Sequence, residues 1–117
     1  MYLKEVREIL DAEVLCGEGH LDWQVYSACG SDFMSDVLAY VKNQAMLLTG
    51  LVNVQVVRTA EMMDMKCIVF VRGKKPDEKV LALARERDMV IMSSALPMYI
   101  SCGKLYTSGL VGESHHG

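Results

Sequence analysis

The sequence predicts a three-layer α/β/α fold, in which a mixed, mainly parallel sheet of about five strands lies between two layers of helices. The first observation is the order of segments after residue 45, where short apolar segments alternate with segments whose apolar residues recur at helical spacing. The second is the length of those helical segments, about ten residues, which suits a crossover between parallel strands. The third is composition, because 51% apolar and 23% charged residues in a chain of 117 are enough for one hydrophobic core.

The first quarter of the chain predicts a helix followed by two strands. Residues 2–10 place their apolar side chains on one helical face, with charged residues opposite. The apolar segment 12–16 predicts a short strand, and the glycines after it predict a turn. Residues 23–29 alternate in polarity and predict a second strand. Since these strands precede the repeated strand–helix order, they need not pair in parallel, and we expect a mixed sheet.

The next segment predicts a capped helix and then a buried strand. Ser31 or Asp32 is the expected N-cap of a helix over about 33–41. The apolar segment 45–49 predicts a strand that Gly50 ends.

Two further helices flank the next strand. Apolar residues recur at helical spacing over 52–63, and Asn53 is the natural cap if this helix begins slightly later. The β-branched segment 66–71 predicts a strand that Gly73 ends. A helix is then expected to open at Pro76, with acidic residues at its positive end.

The last elements are a strand over 89–92 and a helix that begins near Pro97. No linker or low-complexity segment divides the chain. We therefore expect one domain over residues 1–110 and a flexible tail over 111–117.

Charge and composition exclude several classes of function. The formal net charge is −3, so nucleic-acid binding is not expected. No segment approaches the roughly 20 apolar residues of a membrane span, and the N-terminus lacks the apolar core of a signal peptide. We therefore expect a cytoplasmic protein without membrane contact.

Neither a metal site nor a catalytic set can be assembled from the sequence. The four cysteines lack the C-x-x-C spacing of metal sites, and no metal or other cofactor is expected. The phosphate loop G-x-x-x-x-G-K-[ST], the dinucleotide motif G-x-G-x-x-G and the nucleophile motif G-x-S-x-G are absent. We therefore expect a protein that is not an enzyme.

Loops at the carboxyl ends of the strands are the expected ligand site, because ligands of open α/β sheets bind beyond those ends. The loop at 72–75 carries three cations just before a helix, which favours a phosphate-bearing ligand. The polar repeat SDFMSD at 31–36 could hold a cation or a ribose, although no histidine or third carboxylate is positioned to complete a metal site. The structural alternative is a solvated turn in the first case and helix capping in the second. The candidate ligand-binding residues are Ser31, Asp32, Thr49, Asn53, Arg72 and Lys74.

Four segments together resemble one known family. They are GSDFMSDVLA at 30–39, LTGLVN at 48–53, IVFVRGKKP at 68–76 and SCGKLY at 101–106. The chain resembles a stand-alone DRTGG domain protein over nearly its whole length. The family's naming motif is not present literally, and the nearest stretch is LDWQVYSACG at 21–30.

The resemblance implies a fold similar to the N-terminal domain of HPr kinase/phosphorylase and, more distantly, to the UDP-binding N-terminal domain of Mur ligases. Relatives of this kind are fused to CBS domains, to phosphotransacetylase or to a pyrophosphatase, which implies a regulatory or assembly module. The similarity to HPr kinase covers a non-catalytic domain and does not imply kinase activity.

Three functions stay open at this point. The first is a non-catalytic, homodimeric module that senses a nucleotide or another anionic metabolite. The second is a protein-interaction or oligomerisation module without a small ligand, using an exposed face rich in methionine and leucine. The third is an enzyme that acts on a phosphorylated substrate.

Overall fold

The computed structural model describes residues 1–40 and 45–111, which form one five-stranded sheet and five α-helices. The strands are β1 (Glu13–Cys16), β2 (Ser27–Gly30), β3 (Ala45–Thr49), β4 (Cys67–Phe70) and β5 (Val90–Ser93). The helices are α1 (Leu3–Ile9), α2 (Met34–Tyr40), α3 (Val54–Met62), α4 (Glu78–Glu86) and α5 (Met98–Thr107), and a short 3-10 turn covers Glu18–His20. This order of elements confirms the predicted α/β class.

The strands lie in the order β1-β5-β4-β3-β2. Strands β2 to β5 run parallel to one another, whereas β1 lies antiparallel to β5 at one edge. In register, Leu48 of β3 stands beside Val69 of β4, which stands beside Met92 of β5. The sheet is therefore mixed and mainly parallel, as predicted.

The strand order decides which helices cover which face of the sheet. Strands β2, β3, β4 and β5 lie side by side in the sheet in the same order as in the chain. Since crossover connections between parallel strands are almost always right-handed, all three connecting helices lie on one face of the sheet. On this crossover face, Val37 of α2, Val57 of α3 and Ala84 of α4 are buried in one apolar cluster. The opposite face is left to α1 and α5, whose Val6 and Leu105 belong to a second cluster. The predicted three layers are confirmed.

The predicted strand over 23–29 is wrong in its first half. Strand β2 begins only at Ser27, opposite Ala45 at the start of β3. Residues before Ser27 therefore extend beyond the neighbouring strand, and they pair with the N-terminus instead. The backbone N–H of Val25 donates to the carbonyl of Met1 at 2.8 Å, and that of Leu3 donates to the carbonyl of Trp23 at 2.9 Å.

Side-chain caps set the starts of two crossover helices. Asn53 caps α3, accepting a hydrogen bond from the backbone of Val56 at 3.3 Å, so this helix begins at the later of the two expected positions. Asp77 caps α4 in the same way through Val80 at 3.1 Å. The helix expected to open at Pro76 therefore begins two residues later, after this cap.

Some expectations lie outside the described residues. These are the last residue of the helix predicted over 33–41 and the tail beyond residue 111. The domain boundary at residue 110 and the flexible tail stay predictions. Among the described helices, none is both long and apolar enough to cross a membrane.

Gly17 offers a test of the junction between β1 and β5. Its φ of 83° lies in the left-handed region, and a Cβ there would lie 2.8 Å from the carbonyl oxygen of Met89 and 2.8 Å from the Cα of Val90. We expect Gly17→Ala to lower the free energy of unfolding by about 2 to 4 kcal/mol, measured by urea denaturation.

Gly19→Ala is the matched control, because a Cβ there would meet no heavy atom within 4 Å. It should change the free energy of unfolding by less than about 0.5 kcal/mol. Equal losses in the two variants would contradict this account of the junction.

Candidate functional site

Three loops meet at the carboxyl edge of the sheet, where β2, β3 and β4 end side by side. Backbone hydrogen bonds continue past the strand ends. The N–H of Ser31 donates to the carbonyl of Leu48 at 3.0 Å, and the N–H of Val71 donates to the carbonyl of Thr49 at 3.0 Å. The first residues of each loop are thus held in the register of the sheet.

The carboxylate of Asp32 joins the first two loops. Its Oδ1 accepts a hydrogen bond from the backbone N–H of Gly50 at 2.7 Å and from the hydroxyl of Thr49 at 3.0 Å. The same hydroxyl oxygen accepts from the backbone N–H of Leu51 at 3.1 Å. Asp32 therefore does not cap the helix that follows it, as one reading of the sequence expected, because its side chain points across to the neighbouring loop.

Arg72 brings the third loop to the same carboxylate. Its Nη1 lies 3.6 Å from Oδ2 of Asp32, an ion pair that is longer than a hydrogen bond. The guanidinium covers Gly50, and a Cβ at that position would collide with it. Gly50 is thus part of the site in two ways. Its N–H binds Asp32, and the absence of a side chain leaves room for the guanidinium of Arg72. Residues Asp32, Thr49, Gly50 and Arg72 are called the Asp32–Arg72 cluster below.

A strained turn directs the side chain of Arg72 toward Asp32 and Gly50. Arg72 and Gly73 both have positive φ, 60° and 68°, and the N–H of Lys74 donates to the carbonyl of Val71 at 3.1 Å, which is the pattern of a type I′ turn. A non-glycine residue in this conformation costs about 1 kcal/mol or more. The backbone N–H of Arg72 donates to the carbonyl of Leu96 at 2.8 Å, so the loop after β5 helps to hold the turn.

The environment of Asp32 favours its charged form. Its pKa is lowered mainly by the hydrogen bond from the N–H of Gly50. Burial acts in the opposite direction and raises the pKa, while the hydroxyl of Thr49 and the positive charge of Arg72 lower it further, so the net shift is downward. The carboxylate is therefore ionised at neutral pH. It presents Oδ2 toward Arg72, with 39% of the side chain exposed.

The other predicted residues lie around this cluster rather than in it. Ser31 turns its hydroxyl onto its own loop, where the oxygen accepts from the N–H of Phe33 at 3.0 Å. Asn53 is used as the cap of α3. Lys74 is exposed, and its backbone carbonyl accepts from the hydroxyl of Ser93 at 2.8 Å. The third cation of the loop, Lys75, pairs with Glu13 at 3.1 Å.

Sequence reasoning missed Gly50 as a member of the site. It was expected to end a strand and to lie in the candidate loop 49–53, but it was not chosen as a ligand-binding residue; the available signal was its place directly after Thr49 at a carboxyl end. Its role depends on two partners that are 18 and 22 residues away in the sequence, Asp32 and Arg72.

The arrangement can bind an anion or a hydroxyl-bearing ligand on an open surface. Side-chain exposure is 47% for Arg72, so its guanidinium is accessible to a solvent-borne partner. Among residues 1–40 and 45–111, no group of three His, Cys, Asp or Glu side chains is placed to hold a metal ion.

Two depressions lie away from this edge. One of about 430 Å³ lies at the amino edge of the sheet, where Trp23, Tyr26 and Lys66 are among the lining residues. Another of about 540 Å³ lies on the outer side of α5. A ligand at the Asp32–Arg72 cluster would therefore bind to exposed loops and not inside either of these depressions.

Comparisons with known proteins identify a family and a fold. The sequence matches the DRTGG domain family over residues 5–100. The fold is similar to that of a chain holding the CBS and DRTGG domains of the regulatory region of Clostridium perfringens pyrophosphatase, complexed with the activator diadenosine tetraphosphate. The TM-score is 0.74 at 10% identity, and the match covers 92% of this chain and 46% of that chain. A search of curated proteins found no significant match.

The lowered pKa of Asp32 predicts an effect of pH on stability. Because the folded pKa lies below the unfolded one, the charged carboxylate stabilises the fold above about pH 4, and this stabilisation is lost as pH falls through the folded pKa. We expect Asp32→Asn to lower the free energy of unfolding at pH 7 by about 1 kcal/mol, with a smaller further loss at acid pH than in the wild type. Urea denaturation between about pH 7 and pH 2.5 measures both effects.

Asp36→Asn serves as the control, because Asp36 is exposed one helical turn further along the chain. This variant should keep the acid-side decline of the wild type. If Asp32→Asn also keeps the full decline, the carboxylate does not join the loops in solution.

Proposed function

The chain belongs to the DRTGG domain family, and from that membership we propose that it is a non-catalytic regulatory module that binds a nucleotide or another anionic metabolite at the Asp32–Arg72 cluster. The similar regulatory region from Clostridium perfringens pyrophosphatase is complexed with a nucleotide activator, which supports a regulatory role of this kind. The likeness to the N-terminal domain of HPr kinase/phosphorylase stays a prediction from the sequence.

The observation that carries the proposal is the strained placement of Arg72. A solvated turn would put glycine or asparagine at a position with φ of 60°, and this chain instead holds an arginine there, above a glycine. The ion pair with Asp32 engages one end of the guanidinium, and five N–H donors in a planar fork allow a phosphate to bind as well.

The remaining candidate residues complete the proposed site. Lys74 supplies a second positive charge next to the turn and has no ion pair with any described residue. Oδ2 of Asp32 can accept a hydrogen bond from a ribose hydroxyl, since the two hydrogen bonds from the protein use Oδ1. Ser31 and Asn53 lie on the flanking loops, and we propose that they contact the outer part of the ligand.

We propose that the protein binds its ligand without catalysing a reaction. We also propose that it acts in the cytoplasm as a homodimer. The sequence lacks the phosphate loop and the nucleophile motif, so no residue is assigned a catalytic role. A nucleotide that binds one conformation of the folded protein more tightly than another shifts the population toward that conformation, which is the physical basis of a regulatory module.

A protein-interaction module is the alternative, and one observation favours it. The outer side of α5 exposes Tyr99, Ile100 and Tyr106. Of the expected face rich in methionine and leucine, only Met62 and Leu38 are exposed among the described residues, and they lie on two different helices, α3 and α2, whereas Met46 and Met92 are buried. An interaction module would therefore use tyrosines on α5.

A thermal-shift screen tests the ligand proposal. The panel holds nucleotides including diadenosine tetraphosphate, UDP-sugars, acyl phosphates and inorganic phosphate. A ligand at about 100 times its Kd adds about 2.7 kcal/mol of stability, which raises the Tm by several degrees. We expect such a shift with at least one phosphate-bearing compound, and we expect Arg72→Gln to abolish it.

Arg87→Gln is a close control for the loss of an arginine. Arg87 also pairs with a carboxylate, Glu61 at 2.9 Å, and its side chain is 45% exposed, close to the 47% of Arg72. It should keep the ligand-induced shift. The absence of any shift across the panel, or its survival in Arg72→Gln, would overturn the proposed site.

A further inference from the structure

The outer side of α5 is an apolar surface with no partner in the described part of the chain. Tyr99, Gly103 and Tyr106 follow one another at spacings of four and three residues, so they form one stripe along the helix. Ile100 and Thr107 lie beside this stripe and are also exposed. These five residues are called the α5 face. The inner side of the same helix packs on the sheet through the buried Leu105 and Ser101.

Gly103 is the feature of the α5 face that the fold itself does not explain. It lies in the interior of a ten-residue helix, where glycine is less stable than alanine. A Cβ at this position would meet no heavy atom within 4 Å. Gly30, by contrast, is closely surrounded within the fold, because a Cβ there would lie 2.8 Å from the sulfur of Cys102 and 3.1 Å from that of Met98. Contacts within the described part of the chain therefore do not require the missing side chain at Gly103, and the position has room for a group from a partner.

The shape around Gly103 suits an aromatic ring. A depression of about 540 Å³ lies on α5, and Tyr99, Gly103 and Tyr106 are among the residues that line it. The glycine leaves a gap between two tyrosines that project from the same stripe. The helix thus carries both a projection and a matching hole, and a surface that has both can pack against its own copy about a two-fold axis.

We infer that the α5 face is the contact surface between two copies of this chain, with a tyrosine of each copy packed over Gly103 of the other. This inference rests on the homodimer of the proposed function and is independent of the proposed ligand. It specifies which surface forms the pair.

The two tyrosines of the α5 face supply part of the area that a small stable dimer buries. Tyr99 is 85% exposed and Tyr106 is 62% exposed. At about 200 Å² for each side chain, these tyrosines expose about 600 Å² in two copies. That is about half of the roughly 1,200 Å² buried in a small stable interface, and the rest of the α5 face adds to it.

The charge of the surface also favours a second copy. Lys104 is the one charged side chain among the described residues that line the depression. Two copies can therefore approach without bringing many like charges together, and the centre has the aromatic, weakly charged character of interface cores. A strongly charged partner would find only Lys104 to pair with among the described residues that line this surface.

The experiment measures the mass of the whole chain by sedimentation velocity over about a hundredfold range of concentration. We expect the wild type to form a dimer. Gly103→Lys fills the hole, and Tyr99→Ala removes a projection, so each should raise the dimer Kd about tenfold or more. Ala82→Lys is the matched control, since Ala82 is exposed in α4 on the crossover face, and it should leave the Kd unchanged.

Folding of the variants is checked by thermal unfolding. Gly103→Lys should fold, because lysine favours a helix more than glycine does and the position has room for a side chain. If that variant does not fold, Tyr99→Ala decides the outcome, since the ring of Tyr99 is mostly exposed.

Two outcomes would overturn the inference, and they differ in meaning. A dimer that keeps its Kd in both variants uses another surface, and the proposed homodimer then stands while the α5 face does not. If the wild type stays monomeric at every concentration, both the proposed homodimer and the assignment of the α5 face are wrong. The ligand proposal is judged separately, by the thermal shift and its loss in Arg72→Gln.

Discussion

The central strands β3, β4 and β5 are buried on both faces, and this constraint organises the rest of the molecule. Leu47 and Leu48 are adjacent in β3, yet one packs into the cluster of the crossover face and the other into the cluster of the opposite face. Both faces therefore need helices. Since the three crossovers occupy one face, the two terminal helices must cover the other, and α5 is held there with its outer side open to solvent.

The same arrangement brings distant loops together at the carboxyl edge. Strands β2, β3 and β4 end side by side, so the residues after them become neighbours although they are far apart in the sequence. The carboxylate of Asp32 then satisfies the N–H of Gly50 and the hydroxyl of Thr49, and it faces the guanidinium of Arg72. The hydrogen bond from Gly50 outweighs the desolvation of this carboxylate, which therefore stays ionised, and Arg72 remains accessible beside it.

The two proposed functions use different parts of the fold and need not compete. The Asp32–Arg72 cluster lies at the strand ends, whereas the α5 face lies on the outside of one layer. They are joined by structure, because the loop from β5 into α5 accepts a backbone hydrogen bond from Arg72 through Leu96.

The sequence by itself determined the class of fold, most of the elements and the edge at which polar residues collect. Apolar periodicity and caps such as Asn53 are local signals, and they identify helices and strands without knowledge of the partner. Tertiary structure decided the rest. Through it, residues 23–25 pair with the N-terminus, and Gly103 lies on an open surface. Through it also, Asp32 accepts a hydrogen bond from the N–H of Gly50 instead of capping the helix that follows it. Each of these depends on contacts between distant segments, which a local pattern does not contain.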